Sequence, residues 1–216
     1  MPQEELQSPE SVPPFRPDQL QRIHTFGGIY ANTIHRLLYR QSLADNRNAR
    51  DIELPHAKEL IEQRKNADET NVVTSTLVVG MAGAESCRPY LADEYALYEV
   101  EGVVLKRIME ELETALTRCH YEKPTAWLLE RSLPIFRIGL RTGITIEILL
   151  HGKDKPKIAR NRHSIVEAEQ RQAEKDILPL LRAMLLDVLP PAAPIEQKST
   201  RWARFKSLFR RRPQGD

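Results

Sequence analysis

Ile135-Phe-Arg-Ile-Gly-Leu-Arg-Thr-Gly-Ile-Thr-Ile-Glu-Ile-Leu-Leu150 is the stretch on which the fold class turns. Ile138, Leu140, Ile144, Ile146, Ile148 and Leu150 alternate with mostly polar neighbours, the period of a half-buried strand. Thr142-Gly143 would then be the turn of a β-hairpin, although Asn-Gly is the stronger signal for one. A helix also fits, because Ile138, Arg141, Thr142, Thr145 and Leu149 stack along one face at helical spacing. The same ambiguity attaches to Val72-Val-Thr-Ser-Thr-Leu-Val-Val-Gly80, a β-branched run that reads as a short buried strand or as the middle of a buried helix.

Around these two runs the periodicity is helical. Asp18 reads as an N-cap after Pro17, and Leu20, Ile23, Phe26, Tyr30, Ile34, Leu37 and Leu38 follow at helical spacing. Gly27-Gly28 in the middle of that helix implies close packing or a kink. A second helix opens at Pro55, and the clearest one runs from about Asp93 to Cys119. Its stripe is Leu97/Tyr98, Glu101, Val104/Leu105, Ile108, Leu112, Ala115/Leu116 and Cys119. Pro124 to Leu133 reads as a short helix. Ser164-Ile-Val-Glu167 is a capping box that opens a helix reaching Leu189, with Pro179 expected to kink or split it.

The expected fold is mainly α, a single helical domain of about five to six helices over 18–189, with room for a small β-hairpin at 135–150. Residues 1–17 carry five of the fifteen prolines and read as a disordered leader. Residues 190–198 form a proline-rich linker, and 199–216 a basic amphipathic tail.

That tail carries the clearest chemical signal. From Lys198 to Arg212 the chain holds seven cations and no acid (Lys198, Arg201, Arg204, Lys206, Arg210, Arg211, Arg212). Trp202, Phe205, Leu208 and Phe209 fall within an arc of roughly 120° on a helical wheel. Arg201 and Arg212 stand at the edges of that arc, where long side chains reach outward. Taking the seven cations and Asp216 from the 32 basic and 30 acidic residues leaves a body near −4. The basic arm is thus joined to a body of opposite charge, and its attraction to an anionic partner is local. A second basic patch, Lys153, Lys155, Lys157, Arg160 and Arg162, leads into the Ser164 helix, whose free amides favour anions.

Catalytic signatures are missing. Gly80-Met-Ala-Gly83 lacks the spacing of a dinucleotide or P-loop turn, so its small residues read as packing. Glu53-Leu-Pro-His56 has the i, i+3 form of a di-iron pair but no second pair beside it. His24 and His35 lie three helical turns apart, too far to share an ion. No cofactor, metal or nucleophile set is expected, and Cys87 and Cys119 fit a reducing compartment. With no signal peptide visible, the expected location is cytoplasmic, in association with a membrane surface.

These features give a non-enzymatic binding or adaptor protein whose arm docks on an anionic partner, a membrane surface first. The alternative is a nucleic-acid-binding regulator using the same arm and the 153–162 loop. A third reading is an enzyme with its site in the 18–189 body. A protein partner for the arm is also open, and the sequence leaves the oligomeric state undetermined.

Overall fold

The computed structural model describes residues 12–48, 55–118, 124–151 and 162–188, and among these residues 135–150 are helical throughout. Five α-helices make up the described body: α1 (Pro17–Asn48), α2 (Pro55–Ala84), α3 (Glu94–Arg118), α4 (Pro124–His151) and α5 (Arg162–Val188). A 3₁₀ turn, Glu85–Tyr90, links α2 to α3. No strand occurs among the described residues, so the hairpin reading of 135–150 gives way to the helical one.

Burial explains the outcome. Ile135, Phe136, Gly139, Leu140, Gly143, Ile144 and Glu147 are buried at spacings of three and four, whereas the alternating isoleucines do not share one level of burial. Ile146 is buried and Ile148 is exposed. In α2 the β-branched run 72–80 is helical for a related reason. The hydroxyls of Thr70, Ser75 and Thr76 donate to the carbonyls of Asn66, Asn71 and Val72 at 2.9, 2.7 and 2.8 Å. Such back-bonding satisfies these polar side chains inside a helix.

The helix starts refine the sequence reading. The backbone N–H of Arg16 donates to Gln19 Oε1 at 2.7 Å, and the Arg16 carbonyl accepts the first helical bond, from Leu20. Arg16 is therefore the cap and Pro17 the first helical residue, in place of an Asp18 cap. The packed body also takes in 12–17, which the sequence reading placed in the leader. Val12 is buried, and Arg107 Nη1 donates to the carbonyls of Val12 and Pro13 at 2.8 and 2.9 Å. Asp93 caps α3 by accepting the N–H groups of Tyr95 and Ala96. Helix α5 begins two residues before the Ser164 box and continues as one element through Pro179. Pro179 is exposed, where water can solvate the carbonyl left without an N–H partner.

Helices α2 and α4 form the centre: α1 and α4 pack on α2, α3 packs on α1 and α4, and α5 lies against α4 and α2. The α2–α4 contact is backbone on backbone. A Cβ on Gly80 would stand 2.2 Å from the carbonyl carbon and oxygen of Gly139. One on Gly139 would stand 2.7 Å from the Thr76 carbonyl oxygen, and one on Gly143 would meet Ala84 Cβ and the Gly80 oxygen at 2.9 Å. Only glycine permits that approach. Gly80 and Gly83 are thus packing residues, as their spacing suggested. Gly27 takes the close-packing option as well, with Leu112 Cδ2 at 2.5 Å from its would-be Cβ.

Between α1 and α4, Tyr30 meets Phe136 edge-on with ring centroids 4.8 Å apart. Its phenol hydrogen-bonds the Ser132 hydroxyl at 2.7 Å, which satisfies a fully buried polar atom. Burial pushes the Tyr30 phenol well above its ordinary range, and the Ser132 bond offsets only part of that.

Candidate functional site

Buried carboxylates covered by arginines from neighbouring helices stitch the bundle together. Asp68 of α2 accepts from Arg36 and Arg40 of α1. Glu69 of α2 takes a two-pronged contact from Arg182 of α5 at 2.7 and 3.1 Å. Glu147 of α4, 2% exposed, is held by Arg88 of the 3₁₀ turn, with His151 Nε2 at 3.5 Å. His24 of α1 pairs with Glu111 of α3 at 2.6 Å. These contacts fix the helices relative to one another. Their carboxylates face inward and leave little for a ligand to reach.

Glu85 clamps the start of α1, taking Arg16 at 2.6 Å and Arg22 at 2.7 Å. Burial raises its carboxyl, but the hydrogen bonds from Arg22 and Arg16 outweigh that and hold it below its ordinary value of 4.5. A carboxyl with a depressed folded value adds stability that is complete above the unfolded value and is lost as pH falls through the folded one. The unfolding midpoint in urea is therefore expected to drop between about pH 5 and pH 2. Glu85→Gln should be less stable than wild type at neutral pH and show a shallower acid slope. Equal slopes for the two proteins would remove Glu85 from this account.

The described body contains no catalytic constellation to set beside these contacts. Among the described residues no three His, Cys, Asp or Glu side chains are grouped to hold a metal ion. The Cys87 thiol is buried, and burial followed by the charges of Glu101 and Glu147 pushes it up to about 12. Such a thiol is inert rather than nucleophilic.

Two surface clefts are open to a partner. One lies between α1, α2 and α5, with Leu37, Ile61 and Leu185 on its floor and Arg40, Gln41, Glu62 and Lys65 around it, and holds about 210 Å³. The other, of about 300 Å³, runs between the start of α3 and the end of α4. Glu94, Leu97, Tyr98 and Glu101 form one wall, and Arg141, Ile144 and Thr145 the other. Glu101 accepts from Arg141 Nε at 2.7 Å across it. Tyr95 and Tyr98 are 75% and 72% exposed beside it, and Ile148 is exposed at its far end.

Tyr98 corrects the sequence reading, which put it on the buried stripe of α3. The stripe is rotated toward Val100, fully buried, so Tyr98 falls on the flank and Tyr95 on the outer face. A wheel centred on Val100, Val104 and Ile108 would have shown this.

The basic arm residues Arg201, Trp202, Arg204, Phe205, Lys206, Phe209, Arg210, Arg211 and Arg212 lie outside the described residues, as do Lys153, Lys155, Lys157 and Arg160. Arg162 is the first residue of α5. The arm leaves the body beyond α5, whose Asp187 accepts from Arg131 Nη1 of α4 at 2.7 Å. No described helix is long and apolar enough to cross a membrane.

No protein-family model matches this chain, and neither a curated protein nor a solved structure is similar to it.

Proposed function

We propose that the chain is a non-enzymatic binding protein whose C-terminal arm docks on an anionic membrane surface, with the helical body as its rigid base. The observation that carries this reading is the composition of the arm: seven cations without an acid between Lys198 and Arg212, interleaved with Trp202, Phe205, Leu208 and Phe209. A stripe of aromatics on one face with cations on the other suits the plane of a lipid headgroup layer, where each cation contributes about 1 kcal/mol. A nucleic-acid backbone would attract the same cations but has less use for that segregation.

Co-sedimentation with vesicles of phosphatidylserine and phosphatidylcholine tests the reading. The full chain should bind at least about tenfold more tightly than a version ending at Pro194, and the difference should shrink with salt. Equal sedimentation of the two proteins would overturn membrane docking by the arm. Tighter binding to single-stranded RNA than to the vesicles, lost on the same truncation, would transfer the arm to a nucleic-acid partner.

A further inference from the structure

The cleft between α3 and α4 is rimmed by acids and floored by apolar groups. Glu94 and Glu101 line it against one cation, Arg141, on the opposite wall, and Glu99 stands exposed elsewhere on α3. No described cation forms an ion pair with Glu94 or Glu99, although Glu101 is matched by Arg141. Tyr98 and Ile144 supply apolar surface, and Tyr95 stands exposed next to them. A volume of about 300 Å³ holds one or two aromatic rings rather than a whole helix. The partner this surface fits is therefore a cationic segment with aromatic anchors, its charges along the rim and its rings in the cleft.

The chain carries such a segment itself. Its starting point is fixed by Arg131–Asp187, which ties the end of α5 to the first half of α4. Arg141 and Thr145 stand ten and fourteen residues further along α4, about 15 to 21 Å at 1.5 Å per helical residue. The nine residues 190–198, rich in proline, can span about 28 Å at 3.1 Å each. The distance along α4 is thus within the span of the linker.

We infer that the α3–α4 cleft is an intramolecular dock for the arm 199–216. Tyr98 and Ile144 receive its aromatic side chains, and Glu94 and Glu101 face its arginines. The arm then has two competing positions, one on the body and one on an anionic surface, and the body restrains it until such a surface is dense enough to win. The dock draws on the chemistry of the arm and not on its binding lipid.

Photo-cross-linking in the absence of lipid tests this independently of the vesicle experiment. Trp202 in the full chain is replaced by a benzophenone-bearing phenylalanine, the protein is irradiated, and the products are mapped by mass spectrometry. Cross-links should fall within one chain, onto residues 94–101 or 141–148. Glu94→Lys, a surface change, should reduce them at least about fivefold while the helical circular dichroism stays unchanged. Cross-links to another part of the body overturn the dock, as does a yield indifferent to the charge reversal. Cross-links between chains in an isotopically mixed sample would assign the cleft to a second copy instead. The absence of any cross-link on the body likewise overturns the dock, since a docked arm must leave one.

Discussion

Gly80→Ala is expected to destabilise the protein by roughly 3 kcal/mol or more, and Gly80→Leu to prevent folding. In an ordinary helix interior, replacing glycine by alanine gains about 1 kcal/mol. At this position the added carbon would lie 2.2 Å from the carbonyl of Gly139, and the obstacle is main chain. A side chain could turn aside, but here α4 as a whole must retreat from α2, opening the packing around Thr76, Leu140 and Ala84. The control is Gly102→Ala on α3, where an added Cβ would meet nothing within 4 Å. That change should be neutral or stabilising by up to about 1 kcal/mol. Urea unfolding followed by circular dichroism reads both. If the two substitutions shift the midpoint in the same direction, the seam is not as tight as described.

Arg88→Ala should cost about 2–3 kcal/mol, a large loss for a side chain that is half exposed. The damage lies at the other end of the pair. Glu147 is 2% exposed and depends on Arg88 and the more distant His151 for its counter-charge. Without the guanidinium, a buried carboxylate is left largely uncompensated. Because Arg88 itself reaches solvent, water can partly take its place, which sets the expectation at the low end for a broken buried pair. Glu147→Leu added to Arg88→Ala should recover much of the loss, since removing both charges removes the desolvation problem as well. A double-mutant cycle over these two proteins, Glu147→Leu alone and wild type gives the coupling directly. Strictly additive losses would show that Arg88 acts through packing and not through Glu147.

Much of the helical architecture was legible in the sequence where one face is apolar over several turns, as from Val104 to Leu116 and after Ser164. It was not legible at 72–80 and 135–150. There isoleucine, valine and threonine follow one another closely, and both periods can be traced through them. What selects the helix is tertiary: Gly80, Gly139 and Gly143 must meet across a separation of about sixty residues, and no local pattern records that meeting. The burial of Asp68, Glu69 and Glu147 leaves no local trace, because each finds its arginine on another element. The candidate site divides in the same way. The chemistry of the arm is explicit in its cations and aromatics, whereas the cleft that fits it is built from two helices. The periodicity put its key tyrosine, Tyr98, on the buried stripe, and the structure turns it onto the exposed flank.

The glycine seam also limits how this bundle can move. If α4 shifted along α2 by one helical turn, either Ile135 or Glu147 would arrive where a glycine now stands, and both directions are blocked by bulk. Axial sliding is therefore closed to the central pair, and what freedom remains is a pivot about the crossing at Gly80 and Gly139. A pivot leaves the fulcrum still and displaces the ends most. Within α4 the last turn, from Ile148 to His151, lies beyond the seam at Gly143 and is thus where the body can open or narrow its surface at least expense to its core.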